Sequence, residues 1–288
     1  YSQDNYGYYI AESNHTRVYG DDITSAGSYA LYSYYSDYGY YENVHANSTA
    51  SRGLSFSYSD HNIINKTNGT SVGVYGISVV ETSTNNTFYD CVGTSETSYG
   101  IYLSLANQNT FYDCQGYSDE STGVYNTGAH NNTFIRTNGT SITEYGYRIL
   151  GYSVNTTLVN STGMNRNDSV GIYLLTANRT NISGGAAYSD EHFALYLYNA
   201  HHNTISGMYI QSNSSWTVRL WESSYNNISS SDIVSNSSYA VVHHYSHNNI
   251  YNNITVKALD NLAILMQHSN YNQIHNSSTY SFDEEGFH

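Results

Sequence analysis

Apolar and polar residues alternate along this chain in short bursts, each followed by a polar stretch rich in Asn, Ser and Gly. In GIYLSLANQN, Ile101 and Leu103 alternate with Tyr102 and Ser104; Ile172 with Leu174 and Leu195 with Leu197 repeat the pattern. A period of two over a few residues is the signature of a strand with one buried face. The bursts recur. Units begin at Gly7, Ala30, Gly53, Gly76, Gly100, Gly123, Gly146, Gly171, Ala194, Thr217, Ala240 and Ala263, spaced by 23 residues except for one step of 24 and one of 25. About ten residues into a unit comes Asn, then Thr or Asn, then an apolar residue, as in Asn109-Thr110-Phe111 and Asn226-Asn227-Ile228. That predicts a second strand after a polar corner. A third segment, marked by Gly93, Gly116, Gly139 and Gly163, leads to the next unit.

A unit this short has no room for the helices of the common helical repeats, and the Leu-x-x-Leu-x-Leu frame of leucine-rich repeats is absent. What remains is one solenoid coil per unit, its three strands stacking on their equivalents. The expected fold is all-β: a right-handed parallel β-helix of about twelve coils, the hand following the general rule for parallel crossovers. At about 4.8 Å per coil it would measure roughly 55 Å. Residues 276–288 read as a C-terminal tail. Stacking predicts rows: Asn109, Asn132 and Asn155, then Asn203, Asn226, Asn249 and Asn272, as corner ladders, with Phe88, Phe111 and Phe134 and then Ile182, Ile205 and Ile228 in the core.

Composition sharpens this picture. Leu, Ile, Val and Phe make up only about a fifth of the 288 residues, but 34 Tyr compensate, and there is no Pro to interrupt a ladder. Mean hydropathy is -0.51. Nine basic against 23 acidic side chains, a net charge of -14, argue against nucleic acid as a partner. No apolar run approaches the roughly 20 residues of a membrane span. The chain starts at Tyr1 without a leader and reads as a mature chain or a fragment.

The units GIYLSLANQNTFYDC and GVYNTGAHNNTFIRT resemble the repeats of NosD-type and related parallel β-helix proteins, which abound on archaeal cell surfaces as carbohydrate-processing modules and as surface-layer or sheath components. The resemblance covers essentially the whole chain and implies the fold; it also carries a copper association.

Cys91 and Cys114, in successive NTFYDC segments, should occupy neighbouring coils within reach of a disulfide, with stacked thiols or bonds to another subunit as the alternatives. His201, His202, His243, His244, His247, His268 and His275 concentrate near the C-terminus, but adjacent His on a strand face opposite ways, so no metal site or cofactor is expected. The pairs Asp21-Asp22, Asp119-Glu120 and Asp190-Glu191 lie in turns and read as solvated, and Asp283-Glu284-Glu285 could hold a divalent cation between subunits. Sequons at Asn14, Asn47, Asn65, Asn68, Asn131, Asn138, Asn160, Asn167, Asn213, Asn236, Asn253 and Asn276 make covalent glycans an expectation.

Tyr8, Tyr34, Tyr35, Tyr40, Tyr102, Tyr125, Tyr173 and Tyr196 form clusters and outward rows suited first to contacts between solenoids, with sugar binding as the alternative. No capping helix is evident at either end, which favours head-to-tail or lateral stacking. The sequence therefore reads first as an extracellular, self-assembling, non-enzymatic structural protein of a surface layer, sheath or filament. Its partner would be itself or a related subunit. The alternative is a carbohydrate-binding or polysaccharide-cleaving β-helix.

Overall fold

The computed structural model describes residues 6–282. Every element among them is a strand, wound as a right-handed parallel β-solenoid of about twelve turns. The first strand of each coil, four residues such as Ile101–Ser104, joins a twelve-stranded sheet. The other two, such as Thr110–Tyr112 and Gln115–Ser118, run into a second, 22-stranded sheet. In two coils these two strands fuse into single nine-residue strands, Thr157–Asn165 and Asn181–Ser189. All pairing is parallel and in register from coil to coil, as in Phe88↔Phe111↔Phe134. The last coil continues through Ser278–Ser281, which pairs with Thr255–Ala258, so strand rather than tail occupies that stretch.

The alternation does what the pattern requires. In first strands the residues at positions one and three point inward, and Ile101, Leu103, Ile172, Leu174, Leu195 and Leu197 are all fully buried. The Phe rings stack at 4.4 and 5.1 Å. Above and below them the row continues through Tyr41, Ile64, Leu158, Ile182, Ile205, Ile228 and Tyr251, all buried.

The Asn ladder departs from the expected register at one place. Its members are Asn62, Asn86, Asn109 and Asn132, then Asn203, Asn226, Asn249 and Asn272. Each accepts the backbone N–H of its counterpart one coil earlier, as Asn132 Oδ1 does from Asn109 at 2.8 Å. Asn155 is not among them. Thr157 aligns with Thr133, so the longer step in the repeat puts Thr156 at the ladder position and moves Asn155 onto the adjacent exposed corner. Nor do the ladder residues supply the left-handed backbone of the corner; the residue before each does, including Gln108, Asn131, Asn155, His202 and Tyr225, with φ between 57 and 60°.

One corner is tight enough to dictate sequence. Where the third strand meets the next coil, a Cβ on Gly116 would lie 2.3 Å from the Gly123 carbonyl oxygen, and one on Gly123 would lie 2.4 Å from the Thr140 nitrogen. Farther along, Ala194, Thr217, Ala240 and Ala263 open the units, and Ile210, Ile233 and Val256 replace the facing glycines. The solenoid is pinched at that corner in its middle coils and filled with side chains toward its C-terminal end.

Candidate functional site

The outward face of the twelve-stranded sheet carries two neighbouring columns of side chains. One comes from the residue that precedes the small opening residue of each coil (Tyr6, Tyr29, Arg52, Tyr75, Tyr99, Tyr145, Phe193, Trp216, Tyr239). The other comes from the second position of the strand (Tyr9, Tyr32, Tyr102, Tyr125, Arg148, Tyr173, Tyr196, Arg219). Strand alternation turns the second column outward, and a coil spacing of about 4.8 Å brings ring upon ring. Tyr6, Tyr29 and Tyr32 stack at 4.7 to 5.5 Å. Tyr75, Tyr99, Tyr102 and Tyr125 form a second group at 4.4 to 5.6 Å. Tyr145, Tyr173 and Tyr196 form a third at 5.1 and 5.0 Å.

Arginines join these groups. Arg52 lies over Tyr29 and Tyr75, 5.1 Å from each ring, and fills the gap left by the small outward Ser55 and Ser78, donating to Ser55 Oγ at 3.2 Å. Arg148 stands over Tyr125 and Tyr145 at 5.2 and 4.8 Å. Arg219 is surrounded by Phe193, Tyr196, Trp216 and Trp221 at 4.6 to 5.1 Å. The result is one aromatic and cationic strip along the solenoid axis. Burial within it pushes the Tyr99 phenol up to about 12, with Tyr125 and Tyr75 adding to the effect, and raises Tyr173 and Tyr196 as well. These phenols stay protonated in neutral solution, so they offer hydrogen bonds and ring edges rather than charge.

A carboxylate, a hydroxyl and a phenol come together near Tyr32. Ser57 donates to Glu81 Oε2. Tyr32 is raised mainly by burial, an effect its hydrogen bond with Ser57 opposes and the nearby Glu81 charge reinforces. A carboxylate, a hydroxyl and a phenol in succession can hold a sugar hydroxyl and move a proton.

Of the tyrosines singled out from the sequence, Tyr102, Tyr125, Tyr173 and Tyr196 lie on this strip. Tyr125 and Tyr173 are buried in it. Tyr8 and Tyr35 are exposed, and Tyr35 stacks on Tyr58 at 4.6 Å. Tyr34 is half-buried and meets Tyr35 edge-on. Tyr40 faces a separate recess with His15, Arg17, Tyr19 and Tyr38. The arginines were not among the candidates. The signal was their column position, visible once the units are written beneath one another.

Cys91 and Cys114 are free thiols, buried on adjacent coils, and burial pushes the Cys114 thiol up. Nine sequon asparagines, Asn14, Asn47, Asn131, Asn138, Asn160, Asn167, Asn213, Asn253 and Asn276, are exposed, whereas Asn65, Asn68 and Asn236 are half-buried. Asp283-Glu284-Glu285 lies outside the described residues. His243 and His244 do face opposite ways: His243 is fully buried and 2.6 Å from the Tyr251 hydroxyl, and His244 lies against Trp221. His130, His201 and His247 use Nδ1 to accept the backbone N–H of the next coil.

Two family models match parts of the chain: the periplasmic copper-binding protein NosD over residues 92–228 and the right-handed β-helix region over residues 1–139. Together they support a parallel β-helix repeat family. The copper in the first description finds no donor set here, since no three His, Cys, Asp or Glu among the described residues are placed to hold a metal ion. No curated protein sequence matches the chain. Among solved structures, the A-module of Azotobacter vinelandii mannuronan C-5 epimerase AlgE4 superposes with TM-score 0.64 at 12% identity, covering 94% of this chain and 88% of that one. A single-site mutant of the periplasmic alginate epimerase AlgG superposes with TM-score 0.53 at 9% identity, covering 88% and 77%. These likenesses establish the fold. They also correct the expectation of a non-enzymatic protein: the same architecture, over nearly the whole chain, is that of enzymes. No helix among the described residues is long and apolar enough to cross a membrane.

Proposed function

We propose that this is a polysaccharide-binding β-helix protein of the cell surface or periplasm, which lays a glycan chain along the outward face of the twelve-stranded sheet. The observation that carries this reading is the strip itself. A continuous row of ring edges along one sheet offers a long, mostly apolar track to a glycan chain, and its phenol and guanidinium donors reach the sugar oxygens. The solved structures of like fold support it, because both are named for enzymes that act on glycan polymers. Tyr32, Ser57 and Glu81 are the groups we place at the point where a bound chain is cleaved or otherwise modified.

Both tryptophans of the chain, Trp216 and Trp221, lie at the Arg219 end of the strip, so intrinsic fluorescence reports on it directly. Titration with a panel of soluble polysaccharides should change that fluorescence with at least one polymer. Tyr173→Ala and Tyr196→Ala should weaken the binding about tenfold, as loss of a stacked ring does. Release of new reducing ends, abolished by Glu81→Gln, would establish cleavage. A panel without any binder would sink the reading.

A second reading, lateral assembly into a surface layer, sheath or filament, is favoured by aromatic stacks away from the strip. Tyr38 stacks between His15 and His61 at 5.3 and 5.0 Å, and Tyr35 lies on Tyr58, all exposed or at exposed corners. Electron microscopy of the purified protein tests it: ordered sheets or fibres support the reading, a dispersed rod opposes it.

A further inference from the structure

Three of the nine basic residues of a chain with net charge -14 stand on one face. None of Arg52, Arg148 and Arg219 is within ion-pair distance of a carboxylate among the described residues, where Arg136–Asp113 is the one such pair. Nε of Arg148 and of Arg219 is buried and has no hydrogen-bond partner. A guanidinium set among aromatic rings is partly stripped of water and held with its planar fork fixed, which strengthens its attraction for an oxyanion. Burial already presses on the Arg219 charge, and no protein carboxylate relieves it. The carboxylates whose charge reaches the strip, Glu81, Glu144 and Glu222, raise its tyrosines Tyr32, Tyr99 and Tyr196.

We infer that the ligand of this face is an acidic polysaccharide, a polyuronate, whose sugar carboxylates are taken up by Arg52, Arg148 and Arg219 while its hydroxyls meet the edges of the intervening tyrosines. The inference rests on the polysaccharide reading and narrows it to a substrate class. Four coils separate Arg52 from Arg148 and three separate Arg148 from Arg219. At about 4.8 Å per coil these are roughly 19 and 14 Å, a span that a disaccharide cannot bridge and a polymer can. Each arginine stands between aromatic rings, and with Nε buried in Arg148 and Arg219 it is their two terminal nitrogens that a carboxylate would meet, in the bidentate geometry such a pair of donors favours. A neutral glycan would cover the same cations and leave them unpaired, at a cost.

The decisive comparison keeps the protein unchanged and alters the ligand. Sodium polymannuronate and the same polymer with its carboxyl groups chemically reduced to alcohols are titrated into the wild-type protein and followed by Trp fluorescence and calorimetry. The acidic polymer should bind at least about tenfold more tightly, the worth of one charge-assisted hydrogen bond. Arg219→Gln and Arg148→Gln should each lower affinity for the acidic polymer more than affinity for the reduced one, and so narrow that difference. Arg219→Lys, which keeps the charge and the packed stem, controls for folding and should retain a preference for the acidic polymer, diminished by loss of the fork. Equal binding of the two polymers would overturn the inference and leave the polysaccharide reading intact. Binding of neither, across a wider polysaccharide panel, would overturn both.

Discussion

Asn109 illustrates how far a single side chain can serve this fold. Its Oδ1 accepts from the Asn86 backbone N–H at 2.9 Å and from Asn86 Nδ2 at 3.1 Å, while its own Nδ2 reaches the carbonyls of Ser83 and Asn107, both at 3.0 Å. Two of those partners, the Asn86 backbone N–H and the Ser83 carbonyl, depend on Asn109, whereas Asn86 Nδ2 also donates to the Ser59 carbonyl and the Asn107 carbonyl also accepts from Asn85 N–H. Asn109→Ala would orphan those two, and at about 1–3 kcal/mol for each unsatisfied group the expected loss is about 2–5 kcal/mol in a urea unfolding curve. The ladder lapses at Thr156 and Thr180, where the buried Thr180 hydroxyl has no partner. Thr180→Asn should restore the amide contact to Asn203 and raise stability by about 1 kcal/mol. His243 is the opposite kind of buried polar residue. Burial holds its pKa down to about 4, below its value of about 6.5 in an unfolded chain. The unfolded state therefore takes up the proton first as pH falls. Stability should be complete above about pH 6.5 and decline toward pH 4, by about 3 kcal/mol in all. The paired variant His243→Leu/Tyr251→Phe, which removes both ends of the 2.6 Å contact, should flatten that slope; an unchanged slope would assign the pH dependence to other groups.

At the level of the strand and the corner, the sequence reveals some features fully and others not at all. The inward pairs Ile101–Leu103 and Leu195–Leu197 and the Phe88–Phe111–Phe134 stack could be read directly, because a two-residue period and a 23-residue repeat leave one arrangement that buries them. Asn155 shows where that logic slips: an inserted residue moves the ladder by one position, and counting from the previous Asn cannot detect it. The left-handed corners were beyond reach for a different reason. Tyr58, Leu105, Glu222 and Lys66 all adopt φ near 50°, a conformation with no local preference in such residues. The continuous backbone ladder imposes it, and one coil considered alone contains no trace of that. The glycines are the legible counterpart. Gly116→Ala would drive a methyl group against the Gly123 carbonyl, with backbone and not a flexible side chain in the way. A loss of several kcal/mol is expected, whereas Ala240→Gly, at a corner that already accommodates side chains, should cost about 1 kcal/mol. Thermal melts of the two variants compare the pinched and the filled corners directly.

Over the whole molecule, the acidic surface and the arginine strip pull a charged ligand in opposite directions, and their ranges differ. A net charge of -14 repels a polyanion at long distance, but that field is screened over about 8 Å at physiological ionic strength and about 30 Å at 0.01 M. The attraction of Arg148 and Arg219 acts at contact, within a partly buried aromatic setting that salt screens much less. A basic polyanion-binding protein loses affinity steeply as salt is added. For this protein the long-range repulsion disappears first, so the association rate with polymannuronate should rise between about 0.01 and 0.15 M salt, with the dissociation rate little changed. Stopped-flow fluorescence on Trp216 and Trp221 would measure both rates. A fall in association rate over that range would mean that the polymer is drawn by an extended basic field, and would place binding somewhere other than the strip, at the six basic residues outside it. A rise in rate that Arg219→Gln leaves intact while it speeds dissociation would separate the two contributions: the acidic body governs approach, and the three arginines govern how long the chain stays.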